Sequence, residues 1–400
     1  MVIVKSYRQQ FPVSECYGTG FNVWIKIEKV AQKKQTDTMK TGILVVNLGT
    51  PASNEAKDVA RYLREFLMDG RVIDIPARKR WLLVNLIIAP FRAKKVSKEY
   101  KKLWLDEGSP LLVYGRRFVD KLEKQYRSDQ VKVVLAMRYQ NPSVKSGLEE
   151  LRAFGAKQII VFPMFPQYAS ATTGSVAEKV MRITAGWNVI PSIQFVNSYH
   201  TAPAYINVFA EKVKNDVEKH RPDHVLFSYH GLPERQLRKA NEGKAVYCKF
   251  PTCDCRKENG KNPYCYRSAC FETTKLIAGE SGLSDEQFTT SFQSRLGKSP
   301  WIQPYTDDKL AELRKQGVKN LLVVSPSFVA DCLETTLEIG EQYRDLFLKL
   351  GGESFNYTIS LNDQDQWIEA VQQIIGLHTG FFNHPVTHPE TLQIDRTAVR

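Results

Sequence analysis

Three groups of residues have types and spacings that suit chemistry. His230 closes the apolar run HVLFSYH and is followed by Gly231 and Pro233. A histidine at a strand's carboxyl end, ahead of a glycine turn, is held rigidly. Its neutral imidazole accepts a proton near pH 7 or ligates a borderline metal; a hydrogen-bonded structural histidine suits the same position. Glu334 and Glu338 lie in ADCLETTLEIG, just after LLVVSPS. Asp331 and Glu334 have capping-box spacing, which predicts a helix start at Asp331. Residues four apart share one helix face, so the two carboxylates form an acidic track suited to a divalent cation or to protons. The same spacing also describes a solvated face. Cys332, in this segment, reads as a small buried residue. The third group is cysteine: five of the seven fall within Cys248–Cys270, spaced C-x4-C-x-C-x9-C-x4-C. That clustering points to a metal or cluster in a reducing compartment and away from a disulfide scaffold.

Trp301 and Tyr168, with Thr172 and Thr173, would add a flat wall and hydroxyls, or else simply pack in a core. Arg71, Arg138 and Ser109 fall near expected strand ends or loops and could hold carboxylates; isolated arginines also form surface ion pairs. Trp81–Phe91 (WLLVNLIIAPF) is flanked by ARKR and RAKK. An apolar stretch with basic shoulders fits an interfacial segment, with burial in the first domain as the alternative.

Positioning these residues requires strands that alternate with helices. Gly42–Leu48 is a continuous apolar run, the mark of a strand buried on both faces. Further strands are expected at Val131–Met137, Gln158–Phe162, Ile193–Val196, His224–Tyr229, Thr289–Gln293, Leu321–Ser325 and Tyr357–Leu361. Helices are expected at Glu55–Leu67, Pro142–Phe154, Ala204–Lys219, Asp307–Gln316, Asp331–Lys349 and Gln364–Ile375. This grammar implies α/β architecture with parallel sheets flanked by helices. Two α/β lobes divided near residue 190 are the simplest solution, at 39–190 and 191–377, with the last helix crossing back to the first. A Cys-rich insertion spans 234–270 and an aperiodic tail 378–400. Residues 1–38 read as an extension outside the fold, with Met39 as an alternative start. Ligands of open parallel sheets sit beyond the carboxyl ends of the strands, where His230, Arg138 and the segments 166–173, 294–301 and 326–338 lie.

The composition sets the outer limits. A chain of 400 residues with 42% hydrophobic and 25% charged residues is an ordinary globular protein. The formal net charge is +13, of which residues 1–38 carry +3. Such a surplus suits an anionic membrane surface or a ligand with carboxylates. The basic residues form no aromatic-interleaved stripe, so nucleic acid is the weakest partner. No apolar run reaches the roughly 18–20 residues of a spanning helix, and the N-terminus lacks the features of a signal peptide. Neither GxGxxG nor GxxxxGK[ST] occurs, which leaves dinucleotide and P-loop chemistry without support.

TGILVVNLGTP, FLMDGRVID, EGSPLLVYG, MRYQNP, PQYASATTGS, LFSYHGLP, FQSRLGKSPWIQPYTDD, VSPSFVADCLETTLEIG and SLND, in this order over roughly residues 41–376, resemble the ferrochelatases. The resemblance implies the chelatase fold, two Rossmann-like lobes with a porphyrin cleft between them. It also implies insertion of ferrous iron, the metal substrate, into protoporphyrin IX to give protohaem. By the same resemblance His230 is the active-site histidine, Glu334 its partner carboxylate and Glu338 the next carboxylate along the track, with His230 and Glu334 meeting the iron. Arg71, Tyr100 and Ser109 become porphyrin contacts, Arg138 and Tyr139 a pocket-wall pair, and Trp301 the aromatic beside the macrocycle. Trp81–Phe91 becomes an apolar lip touching the membrane, in a cytoplasmic, peripherally associated enzyme.

The sequence departs from animal-type ferrochelatases, whose [2Fe–2S] cluster takes one cysteine from the PQY…TTG loop and three from near the C-terminus. Here that loop position is Ser170 and no cysteine follows Cys332. An internal [2Fe–2S] cluster held by four of Cys248, Cys253, Cys255, Cys265 and Cys270 is the expectation, with structural zinc or free thiols as alternatives. Cys270 is the weakest candidate, because cluster-free relatives often carry a cysteine there. Rival functions are a related chelatase acting on coproporphyrin or a sirohydrochlorin, and a non-enzymatic metal–thiolate protein.

Overall fold

The apolar run after Met39 forms β1 (Thr41–Gly49), which is buried along nearly its whole length. In the computed structural model, which describes residues 39–240, 264–295, 297 and 299–379, β1 lies between β2 (Val131–Tyr139) and β3 (Gln158–Pro163). Both pair with it in parallel, Ile43 standing opposite Val133 on one side and Ile160 on the other. β4 (Ser192–Phe195) completes the sheet in the order β2-β1-β3-β4. A second parallel sheet repeats the plan with β5 (His224–His230), β6 (Phe288–Gln293), β7 (Asn320–Val324) and β8 (Ser354–Tyr357), in the order β6-β5-β7-β8. Two lobes of parallel sheet flanked by helices are thus observed.

The details differ from the sequence reading in three places. β4, which a division at residue 190 assigns to the second lobe, pairs with β3; the changeover between sheets follows it, across the helix Pro203–His220. The last strand ends at Tyr357, and after a final bond from Thr358 N–H to Val323 O the chain leaves the sheet, with Ser360 and Asn362 binding Asp331. The helix expected from Pro142 begins at Val144: the Ser143 hydroxyl caps it, accepting from Ser146 N–H at 3.1 Å.

The helices used below are α1 (Ala56–Leu67), α2 (Ala77–Leu82), α3 (Ala89–Leu103), α4 (Pro110–Tyr126), α5 (Val144–Phe154), α6 (Ser175–Thr184), α7 (Pro203–His220), α8 (Glu234–Ala240), α9 (Tyr266–Glu280), α10 (Thr306–Lys315), α11 (Arg344–Lys349) and α12 (Asp365–Thr379). Three stretches, π1 (Leu83–Ile88), π2 (Ser170–Gly174) and π3 (Glu334–Tyr343), carry the wider i→i+5 turn. The main apolar core is shared: side chains of β1–β3, of β5–β7 and of α4, α7, α9 and α12 form one buried cluster. α12 does cross back. Its Trp367 is fully buried, with ring centroids 6.3 Å from Phe118 of α4 and 6.1 Å from Tyr199 and Tyr205. Lys121 of α4 pairs with Asp365 at 2.9 Å. Burying an aromatic of this size contributes on the order of 3 kcal/mol, so α12 fastens one lobe to the other.

Trp81–Phe91 spans α2, π1 and the start of α3. Val84 and Ala89 are fully buried, whereas Leu82, Leu86 and Ile87 are exposed, Trp81 is 50% exposed and Phe91 78%. The segment is therefore split: one face enters the fold and a row of large apolar side chains faces outward. Among the described residues no helix is long and apolar enough to cross a membrane. The extension 1–38, residues 380–400 of the tail, and Cys248, Cys253 and Cys255 lie outside the described residues.

Candidate active site

Both sheets have the same change of direction, between β1 and β3 and between β5 and β7, and parallel sheets open a crevice at such points. A cavity of about 330 Å³ occupies this place, lined by residues at or beyond the carboxyl ends of these four strands: Asn47–Thr50, Met164, Phe165 and Gln167, His230, and Ser327–Ala330. Tyr100, Ser109, Trp301, Cys332 and Glu334 complete its principal wall. Most of the lining is apolar, and the carboxylate of Glu334 and the imidazole of His230 face the same space.

His230 is fixed by its neighbours. Its Nδ1 lies 2.6 Å from the carbonyl oxygen of Gly231. A carbonyl only accepts, so Nδ1 carries the hydrogen and the neutral ring keeps its lone pair on Nε2. The Trp301 and Phe328 rings stand 6.3 and 6.4 Å away. Trp301 is held there by a short antiparallel bridge to Pro233, with Ile302 N–H donating to Leu232 O at 3.0 Å. Gly231 is required by this packing: a Cβ there would stand 2.8 Å from Gln293 O and 3.2 Å from the Trp301 ring.

Glu334 opens π3, and its helix start differs from the expected capping box. Thr335, not Glu334, closes the box: its hydroxyl accepts from Cys332 N–H at 3.0 Å and donates to Asp331 Oδ1 at 3.3 Å. Glu334 is thereby released to the cavity. Its surroundings are protic, since Tyr62, Tyr100 and Cys332 all lie within its field. Burial first, then the nearby negative charge, holds the phenol of Tyr100 and the thiol of Cys332 protonated far above their ordinary values.

Glu338 is displaced from the cavity lining. Its carboxylate accepts from Ser294 N–H at 2.8 Å, Ser294 Oγ at 2.5 Å, Gln293 Nε2 at 3.1 Å and Tyr343 Oη at 3.2 Å. Gln293 pairs with His230 across β5 and β6. Its Nε2 also donates to Glu334 O at 3.1 Å, and its Oε1 accepts from Ser228 Oγ at 2.8 Å. One buried amide therefore ties the histidine's strand to both glutamates.

The three other expected contacts fall behind the wall. Arg138 Nη2 and Tyr139 Oη donate to Asp69 at 2.7 and 2.8 Å, and Arg138 Nε donates to Ser175 Oγ at 2.7 Å. Arg71 donates to Glu178 Oε2 at 2.5 Å and to Ser170 Oγ at 2.8 Å. These groups are bound to their own acidic partners, and none of the three is among the residues lining the cavity. Tyr168 also leaves the cavity, its ring 5.5 Å from Tyr264, and Thr173 is buried, whereas Thr172 lines it. The sequence reading missed Gln293, Asp69, Asn362 and Arg235. Asp69 (in FLMDGRVID), Gln293 (in FQSRLGKSPWIQPYTDD) and Asn362 (in SLND) stood in motifs singled out for other reasons, and Arg235 stood in none.

Of the cysteines expected to hold a cluster, Cys265 and Cys270 are described, and both are buried. Cys270 sits in the core with no exposure, and burial pushes its thiol well above the ordinary range. Among the described residues no group of three or more His, Cys, Asp or Glu is placed to hold a metal ion.

Fold and site together define a two-sheet α/β protein whose interlobe cavity sets a base and a carboxylate against apolar walls. The chain belongs to the ferrochelatase family, whose profile, described as Ferrochelatase, matches residues 40–379. It is 44% identical over 337 residues to the ferrochelatase of Legionella pneumophila (strain Lens), covering 84% of this chain and 99% of that one. Against the ferrochelatase of Coxiella burnetii (strain Dugway 5J108-111) the identity is 41% over 354 residues, 88% of this chain and 96% of that one. Among solved structures it is similar to SirB from Bacillus subtilis with Fe3+, at a TM-score of 0.47 and 13% identity, covering 86% of this chain and 97% of that one.

Proposed function

We propose that this chain inserts ferrous iron into protoporphyrin IX, forming protohaem and releasing two protons. Family membership supports the activity. The observation that carries the site is that His230 and Glu334 line one apolar cavity between the two sheets. In this reading the macrocycle lies against Trp301, with Tyr100 and Ser109 also touching it. His230 Nε2 takes the pyrrole protons as the metal enters. Glu334 receives the iron from the opposite side, with Glu338 as the next carboxylate outward. The protein needs no closed metal cage for this, because the four ring nitrogens become the metal's ligands. Close walls hold the ring bent so that its lone pairs meet the entering ion.

The test is anaerobic ferrous-iron insertion followed by absorbance, offering protoporphyrin IX, coproporphyrin III and a sirohydrochlorin. Protoporphyrin is expected to be metallated fastest. Metallation of coproporphyrin or sirohydrochlorin alone would transfer the assignment to a related chelatase. Indifference of all three to Glu334→Gln, with no metallation, would point to a metal–thiolate protein. Near-normal insertion by His230→Ala would remove the histidine from its role.

Four cysteines, Cys248, Cys253, Cys255 and Cys265, are proposed to hold a [2Fe–2S] cluster, the core position of Cys270 arguing for its omission. A thiolate-only set suits iron–sulfur or zinc, and a brown, bleachable chromophore in fresh protein distinguishes the first from the second. A cytoplasmic, peripherally membrane-associated location is proposed from the outward apolar row of Trp81–Phe91, with Arg78, Lys79, Arg92, Lys94 and Lys95 as basic shoulders.

A further inference from the structure

Among the described residues, the charged side chains lining the cavity are Glu334 and Arg235. A porphyrin acid brings carboxylates into this largely apolar space, and an unpaired carboxylate there is costly. Arg71 and Arg138 are committed elsewhere, to Glu178 and to Asp69. Arg235, on α8 immediately after the His230 turn, is half-exposed and lines the cavity beside the exposed Ser299, which places it at a solvent-facing part of the wall.

The helix carrying Arg235 is clamped across the lobes. Arg235 Nε donates to Asp74 Oδ1 at 2.5 Å and Lys239 Nζ to Asp74 Oδ2 at 2.7 Å. Gln236 Nε2 reaches the carbonyl oxygens of Arg71 and Val72 at 3.3 and 3.2 Å. Arg235 Nη1 donates to Ser299 Oγ at 3.3 Å, and its Nη2 has no hydrogen-bond partner among the described residues. The guanidinium is thus held in place through Nε, with a long bond from Nη1, while Nη2 stays available. That is the arrangement a planar fork needs to take a carboxylate without first losing side-chain freedom.

We propose that Arg235 is the specificity-determining residue that anchors a carboxylate of the tetrapyrrole at the mouth of the cavity. This rests on the porphyrin reading above. Two cations, Arg235 and Lys239, share the single carboxylate of Asp74, so the clamp keeps a surplus positive charge facing the incoming acid.

The test uses the full chain and metal-free porphyrin, with binding read by fluorescence for protoporphyrin IX and for its uncharged dimethyl ester. The wild-type chain is expected to prefer the acid. Arg235→Gln should weaken acid binding about tenfold, the size of one lost charge-assisted bond, and leave the ester within about twofold. Arg235→Lys should recover part of the loss, since it keeps the charge but not the fork. Asp74→Asn loosens the same helix without removing the cation, and it should retain the preference for acid over ester. If Arg235→Gln weakens acid and ester equally, or if Asp74→Asn abolishes the preference as completely, Arg235 only holds the helix and the anchor is wrong. A wild-type chain that binds neither porphyrin would instead overturn the porphyrin reading itself, and the anchor with it.

Discussion

Asp331 and Asn362 hold each other twice: Asp331 N–H donates to Asn362 Oδ1 at 2.8 Å, and Asn362 Nδ2 donates to Asp331 Oδ2 at 2.7 Å. Ser360 N–H adds a third bond, to Asp331 Oδ1 at 3.2 Å. The segment leaving β8 is thus strapped to the residue that opens the Glu334 helix. Asn362 sits in left-handed backbone at φ 51°, a conformation that asparagine tolerates better than most residues. Asn362→Ala is expected to cost about 2 kcal/mol, leaving the part-buried carboxylate of Asp331 short of donors. Thermal denaturation measures that loss, and iron insertion should fall with it because Glu334 is no longer held at its post.

Asp69 gives a pH prediction. Burial alone would raise its pKa, but bonds from Ser175, Arg71 N–H and Tyr139, with the charge of Arg138, outweigh burial and hold it below the ordinary carboxylate value. A carboxyl whose folded value is depressed lends stability that is complete above its unfolded value of about 3.9 and disappears as the pH falls through the folded one. Acid titration of stability should therefore show a loss below about pH 4 that Asp69→Asn lacks. At neutral pH this variant should be less stable by about 3 kcal/mol, because Arg138 is left buried without its counter-ion.

Gln293→Leu keeps the volume of a side chain that is only 1% exposed and removes its bonds to Ser228, Glu334 and Glu338. Turnover in iron insertion is expected to fall by about tenfold or more, since small displacements of reacting groups are expensive. A stability loss without a fall in turnover would show that the amide supports only the fold.

The outward row of α2, π1 and α3 is checked with vesicles. Trp81→Ser and Phe91→Ser should each weaken binding to anionic vesicles by about tenfold, the scale of one large apolar side chain withdrawn from water. Secondary structure by circular dichroism should stay unchanged. Equal binding by the double variant would exclude this face as a membrane contact.

Much of this architecture was legible from the residues. GILVVNL and HVLFSYH had to be buried strands, and the residues at the ends of such strands had to border a crevice, which is where His230 lies. Glu334 was found on helical spacing, but the capping argument differed from the structure: Asn362, far along the chain, takes the Asp331 N–H that Glu334 was expected to accept, and Thr335 caps the next donor, Cys332 N–H. The partners of Arg71, Arg138 and Tyr139 were not legible, because Asp69 and Glu178 bind them through bonds that span many residues. Gln293 stood in a quoted motif and at the end of an expected strand, but its bonds to Ser228, Glu334 and Glu338 arise only where β5, β6 and π3 meet.

The wide turns of π3 have a consequence for how this region can vary. Each residue of an ordinary helix advances about 100°, so loss of one residue between Glu334 and Tyr343, with relaxation to tighter turns, would leave a sound helix but turn one carboxylate away from its neighbours. The length of the segment is therefore constrained along with its letters: chains that shorten it by a single position would fold and yet present a different row of side chains to the metal.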